Sequence, residues 1–333
     1  MSVKKTVQEI ADKLGRARST VWREIKRGTR LRIGYELQIK KQYRADIAQK
    51  DYVNKGTHKE RSFKIGKDTN FEEYIRDKLL KDRYSPDVII GTIKRKGLKF
   101  KGMLFTKTLY NYIDAGIFSG ISNENLWEKR KRRKRRYKKI SRVSRTNRMG
   151  KSIEERHTEI NNRIEYGHWE GDCVKSPLGC TSGLFTLTEI KKLEEIIIKL
   201  DQCTQEEIKN ALNSLDKKFG SKLKLKFKSI TFDNGVKFLN WKSLELSKLN
   251  SKSKRTTIYF VQAYSSWERG SNENKNKMIR RFIPKGTDIH TRSDKEINEI
   301  QNWMNNYPRK KLGYKSANQM VRQYFQVNKD LNS

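Results

Sequence analysis

Cysteine is nearly absent: the 333 residues hold three, Cys173, Cys180 and Cys203, with no CxxC pair among them. An odd, scattered set excludes a disulfide framework, and the four histidines (His58, His157, His168 and His290) fall at no zinc-finger spacing. Reduced, buried thiols without structural zinc are expected. Long apolar runs are missing too. None approaches the roughly 18 residues that cross a bilayer, and the N-terminus lacks a signal-peptide pattern. The expectation is a soluble chain with no membrane partner, cytoplasmic and nucleoid-associated. Acidic residues are the third shortage. Asp and Glu number 38 against 76 Lys and Arg, for a net charge of +38. Such an excess repels itself unless a polyanion neutralises it, and nucleic acid is the usual polyanion. Hydrophobic residues reach only 34%, so small modules joined by basic linkers are expected.

What is present begins with "TVQEIADKLGRARSTVWREIKRG". Ile10, Leu14, Val21 and Ile25 are apolar at helical spacing, Ala11 is small enough for a helix crossing, and Gly15 marks a sharp turn. Ser19 offers an oxygen to cap the following helix. Helix, glycine turn and capped helix form a helix-turn-helix, with Arg18, Thr20, Trp22, Arg23 and Lys26 on the segment that would meet DNA. A plain helical hairpin is the alternative. This N-terminal module is assigned to residues 1–60.

A second helical module, residues 61–120, includes "FEEYIRDKLLKDRYSPDVIIGTIKRKG" and "FTKTLYNYIDAGIF". Ser85-Pro86 opens one helix, and Thr106 is placed to cap another that ends near Gly116. Lys107 and Tyr110 sit where a second helix-turn-helix would touch DNA; a packing module is the other reading. Next comes a basic linker, residues 121–160. From Lys129 to Arg145 it contains no acid. Such a run cannot fold alone and stays extended until phosphates pair with Lys129, Arg130, Arg132, Arg133, Arg135 and Arg136. A nuclear-localisation patch ranks second.

From Glu165 the texture turns to short β-type runs. "YGHWEGDCVKS", "GLFTLTEI" and "LEEIIIKLD" precede an amphipathic helix, "TQEEIKNALNSLDKKFG", capped by Thr204 and stopped by Gly220. "FKSITFDNG" and "TTIYFVQA" follow, then a helix around Glu273. That order is the order of the ribonuclease-H-like fold. The expected class is α/β: a catalytic core over residues 161–333, with a mixed five-stranded sheet and flanking helices, preceded by all-α helix-turn-helix modules.

Asp172 lies in the first of these strands and Asp233 at the end of the fourth; in this fold the two strands are adjacent at the sheet centre. Glu273 begins the helix beside them. Converging like charges repel, and two Mg²⁺ ions would offset them, since hard cations take carboxylate oxygens and can clamp both ends of a phosphoryl displacement. Glu273 also has a simpler reading, as an i,i+4 partner of Lys277. Glu170 shares the strand face of Asp172 and competes as a ligand or pairs with a nearby base. His168 is a proton relay or, more simply, a packed histidine. Glu268 fits an ion pair with Arg269 or Lys275, and Asn234 either a turn, where asparagine tolerates left-handed geometry, or a metal role. Asn272, Asn276 and Arg280 flank Glu273 and suit DNA contact. Trp169, Tyr264 and Trp267 read as packing residues, with Trp267 also able to stack on an unpaired base.

"GHWEGD", "TFDNGVKF" and "AYSSWERGSNENKNKMIRRFIPKGTD" resemble the three acidic blocks of the IS-thirty family of insertion-sequence transposases. "IADKLGRARSTVWREIKRG" resembles that family's DNA-binding block, and "SIEERHTEINNRIEYGHWEGD" its approach to the first aspartate. The match spans nearly the whole chain. It implies that Asp172, Asp233 and Glu273 form a DDE triad holding two Mg²⁺ ions, with Mn²⁺ as the substitute. It further implies binding to the element's terminal inverted repeats, metal-dependent 3′-end cleavage, strand transfer into target DNA, and assembly as a homo-oligomer on double-stranded DNA. Compared with that family, the stretch before Val7 is short, "LNWKSLELSKLNSKSKRTT" lengthens the interval from second to third acid, and Lys277 replaces a glycine. A non-catalytic DNA-binding regulator and a metal-dependent nuclease without strand transfer are the alternatives.

Overall fold

Local signals at helix ends set the first elements of the chain. In helix α1 (Val7–Leu14), the Thr6 hydroxyl accepts from Glu9 N while the Glu9 carboxylate accepts from Thr6 N, satisfying donors that a first turn leaves unpaired. Gly15 ends it in the left-handed region, at φ 58°. Helix α2 (Arg18–Gly28) takes Ala17 as its N-cap with no side-chain bond. Ser19, expected as the cap, lies inside the first turn, because the tight turn through Gly15 and Arg16 sets the N-cap two residues earlier, at Ala17. Ala11 and Val21 are buried between the helices, whereas Leu14, on the last turn of α1, is 62% exposed.

The computed structural model describes residues 5–33, 38–57, 65, 68–127, 150–238, 240–248, 253–261 and 270–330, without the side chains of 236, 270–273 and 328–330. The chain divides into two compact units, Met1–Lys67 and Asp68–Ser333. The first is not all-α. After α2 the chain forms an antiparallel ribbon, β1 (Thr29–Ile33) and β2 (Ile39–Tyr43), followed by helix α3 (Ala45–Thr57). Alternating basic and apolar residues favour an extended pairing there over a helix.

The second unit opens with α4 (Thr69–Leu80), capped by Asp68, and α5 (Pro86–Lys96), capped by Ser85 with proline at its first position. In α6 (Thr106–Asp114), Phe105 holds the N-cap and Thr106 is already helical, so Thr106 caps nothing. These helices are tied to the rest of the unit: Trp303 Nε1 donates to the Asp82 carbonyl at 2.8 Å, and Tyr314 OH donates to Asp87 at 3.3 Å.

The central sheet follows, through β3 (Lys151–Ser152), the short α7 (Thr158–Asn161), β4 (His168–Lys175), β5 (Gly183–Glu189) and β6 (Glu195–Leu200). Helix α8 (Gln205–Phe219), capped by Thr204, and α9 (Leu223–Lys226) lead to β7 (Ser229–Phe232). Then come α10 (Trp241–Glu245), β8 (Thr257–Phe260), α11 (Gly270–Ile279), α12 (Asp294–Asn306) and α13 (Ala317–Asp330). The sheet order is β3-β8-β7-β4-β5-β6, antiparallel from β4 to β6 and parallel from β4 to β3. It has six strands, not five. The extra one, β3, is only two residues long and too short to show an alternation in sequence. On one face Ile208, Leu212 and Leu215 of α8 pack over Phe185, Leu187 and Ile230. On the other, Ile297, Ile300 and Met304 of α12 pack with Leu184, Ile197 and Ile279. This mixed α/β arrangement is consistent with a ribonuclease-H-like core.

All three cysteines are free thiols, and none is fully buried: Cys173 and Cys203 are half-buried, and Cys180 is exposed because it lies in the loop between β4 and β5. Among the described residues, no helix is long and apolar enough to cross a membrane.

Candidate active site

Register places the two aspartates. In the parallel pairing of β4 with β7, His168 is opposite Ser229, Trp169 opposite Ile230, and Glu170 opposite Thr231. The same offset carried two residues further sets Asp172 level with Asp233, the first residue beyond β7. Neighbouring strands lie about 4.8 Å apart, and β4 and β7 are the two central strands. Gly171 makes the approach possible. A Cβ there would stand 2.1 Å from the Phe232 ring, which lies over it.

Local hydrogen bonds orient both carboxylates. Asp172 Oδ1 accepts from Cys173 N at 2.9 Å, and Oδ2 accepts from Asn276 Nδ2 at 2.9 Å. Asp233 Oδ1 accepts from Gly235 N at 3.1 Å. Both residues are half-buried. Asn234 lies in a bend, without the left-handed geometry that asparagine tolerates in turns. Its Nδ2 donates to the Val261 carbonyl at 2.8 Å and ties the end of β7 to that of β8.

Helix α11 runs beside β4. Asn276 bonds Asp172, and one turn later Arg280 Nη2 donates to the Lys175 carbonyl at 3.0 Å. The polar ends of these two residues, assigned to DNA from sequence, are thus engaged with β4. Glu273 lies three residues before Asn276 in the same helix, and residues three apart share a helix face. The side chains of Glu273 and Asn272 are outside the described set, as are Tyr264, Trp267 and Glu268. Among the described side chains, no group of three His, Cys, Asp or Glu could hold a metal ion.

Lys275, one of the partners the sequence offers for Glu268, pairs with Glu195. Lys275 and Glu195 are 3% and 0% exposed, so the pair is sealed from water. Burial pushes the Lys275 amine down to about 8, opposed by Glu195 and, more weakly, Glu170. Glu170, at 4% exposure, lies in a polar row across the sheet. It pairs in register with Thr188, which pairs with Glu195, and the Thr188 hydroxyl donates to Glu195 Oε1 at 2.9 Å. Sequence reasoning missed this row. Its only trace is polar residues at inward strand positions amid apolar ones.

His168 packs at the start of β4, with Nδ1 2.8 Å from Ser229 Oγ and Nε2 3.0 Å from Glu165; burial pushes it below the ordinary histidine value. Trp169 is a core residue whose Nε1 donates to the Lys226 carbonyl. In the first unit, Arg18, Thr20, Trp22, Arg23 and Lys26 are all exposed on α2, with the Lys26 amine 4.9 Å from the centre of the Trp22 ring. Lys107 is exposed on α6. Lys129, Arg130, Arg132, Arg133, Arg135 and Arg136 lie outside the described residues.

No family model matches the chain. Individual relatives do. Over 321 residues it is 32% identical to a probable transposase for the insertion-like sequence element IS1161 of Streptococcus salivarius, covering 94% of this chain and 87% of the relative. It is 29% identical over 332 residues to the transposase for insertion sequence element IS4351 of Bacteroides fragilis, covering 96% and 90%. Transposase InsI for insertion sequence element IS30A of Escherichia coli K12 is 26% identical over 328 residues, covering 96% and 80%.

Proposed function

The chain belongs to the IS-thirty family of insertion-sequence transposases, and from that premise we propose that it is a DDE transposase. It binds the terminal inverted repeats of its own element, cuts DNA at their 3′ ends and joins them to target DNA. Water attacks the phosphorus at the element end; the P–O3′ bond breaks, leaving a 3′-hydroxyl on the element and a 5′-phosphate on the flank. That hydroxyl then attacks a target phosphorus and displaces the target's own 3′-oxygen. No protein–DNA covalent bond forms.

The observation that carries this reading is the level placement of Asp172 and Asp233 on adjacent central strands, beside the helix that contains Glu273. Hard carboxylate oxygens so paired, in a chain of net charge +38, suit a hard divalent cation. Asp172, Asp233 and Glu273 would hold two Mg²⁺ ions, which when bound supply an activated water and charge stabilisation at the attacking and leaving oxygens. Asn276 fixes the rotamer of Asp172 through its amide, and Gly235 N holds Asp233 in a tight local turn. The pair α1–α2 acts as a helix-turn-helix that reads bases through Arg18, Thr20 and Arg23, α4–α6 as a second DNA-contacting module, and Lys129–Arg145 as a sequence-independent grip on phosphates. Two or more copies bring the element ends together.

Purified protein incubated with labelled element ends, a plasmid target and Mg²⁺ tests the proposal. Joined products are expected. Cleaved but unjoined ends would make it a nuclease, and end binding without cleavage a regulator.

A further inference from the structure

We infer that the β1–β2 ribbon is a separate DNA-gripping element that clamps the phosphate backbone next to the bases met by α2. The inference rests on the reading of the first unit as DNA-binding and adds a surface to it.

The ribbon's two faces differ in chemistry. Register pairs Arg30 with Gln42, Leu31 with Lys41, Arg32 with Lys40, and Ile33 with Ile39. Side chains alternate across a strand, so Arg30, Arg32, Lys40 and Gln42 share one face. Leu31, Ile33, Ile39, Lys41 and Tyr43 share the other. Neither strand contains an acid, and every residue but Thr29 is exposed. Arg32 Nη1 donates to Gln42 Oε1 at 3.1 Å across the basic face, which holds its guanidinium over that face and leaves further donors for a ligand. An uncovered face with three cations and no carboxylate suits an extended polyanion. Arginine and lysine at roughly 7 Å intervals along a strand can meet successive phosphates.

The ribbon is also fixed to the helix it follows. A Cβ on Gly28 would stand 2.5 Å from the Tyr43 ring and 2.7 Å from the Arg44 carbonyl, so β2 returns directly against the end of α2. The Thr29 hydroxyl donates to the Ile25 carbonyl at 2.6 Å, Arg44 N to the Gly28 carbonyl at 3.0 Å, and Arg30 Nη1 to the Arg27 carbonyl at 3.1 Å. A two-stranded hairpin is marginal by itself in water. These bonds at its base let it approach a duplex as one body with α2. Backbone contacts of this kind set affinity and register without reading sequence.

The test compares Arg32→Gln/Lys40→Gln with Lys41→Gln, which lies on the opposite face, and with Arg23→Ala on α2. Affinity for an element end and for a scrambled duplex is measured from 50 to 200 mM salt, with circular dichroism melts checking the fold. The ribbon double variant should weaken both duplexes by the same factor and lower the slope of log K against log salt by about 2. Its preference for the end should not change. Lys41→Gln should change the slope by less than half as much. An unaltered slope in the double variant, a Lys41→Gln effect of half its size or more, or loss of end preference would overturn the ribbon's assignment. If the unmodified protein shows no end preference, the reading beneath it fails instead.

Discussion

Asn276 Nδ2 stands 2.9 Å from Asp172 Oδ2 and donates to it, linking helix α11 to the central strand β4. Asn276 therefore positions a carboxylate that is itself proposed to hold metal. Groups that orient ligands from behind typically contribute 10- to 100-fold in metal affinity or activity. Asn276→Ala should retain end binding, lower cleavage by about 10–100-fold and shift the Mg²⁺ dependence to higher concentration. A cleavage titration with Mg²⁺ checks it; an unchanged midpoint would show that the amide does not serve Asp172.

Glu273 separates two explanations by magnitude. An exposed helix partner of Lys277 would be worth only about 0.3–0.5 kcal/mol, so Glu273→Gln would barely alter activity. As a metal ligand it loses the charge while keeping size, and cleavage should fall by several orders of magnitude with binding intact. Asp172→Asn and Asp233→Asn should match it, while Glu170→Gln and Glu268→Gln retain far more activity. A dead Glu268→Gln beside an active Glu273→Gln would move the third acid elsewhere.

Arg18 and Arg23 are exposed on α2. If they read bases, replacing both with Ala should cost on the order of 1–3 kcal/mol for each base that either arginine recognises. Preference for element ends should disappear in gel-shift competition while weak binding to any duplex remains. Surviving preference would assign sequence reading to another module.

Lys275 and Glu195 form a buried ion pair. Lys275→Met leaves a carboxylate sealed from water without its counter-charge, and should destabilise the protein by about 3–5 kcal/mol. Adding Glu195→Gln keeps an acceptor for the Thr188 hydroxyl and removes the stranded charge, so the double variant should recover much of that loss. Urea-unfolding midpoints of the two variants decide it. A double variant no more stable than Lys275→Met alone would mean that the pair contributes packing, not charge compensation.

The linear sequence sufficed for five of the sheet's six strands and for the helices between them. Strand runs bounded by glycine and proline, Thr204 before an amphipathic helix and Ser85-Pro86 before another are signals written within a few residues, and the elements stand where those signals put them. The ribbon was equally local, since "TRLRI" alternates just before Gly34, but the polar run Lys40–Gln42 within "IKKQY" disguised the period. Tertiary structure alone decided the rest. Nothing near Lys275 in the chain points to Glu195, and nothing near Asn276 points to Asp172, because each pair meets only when α11 settles on the sheet. Burial then selects the partner: a charge withdrawn from water must find its complement among whatever groups the fold brings within reach, however far away they lie in sequence.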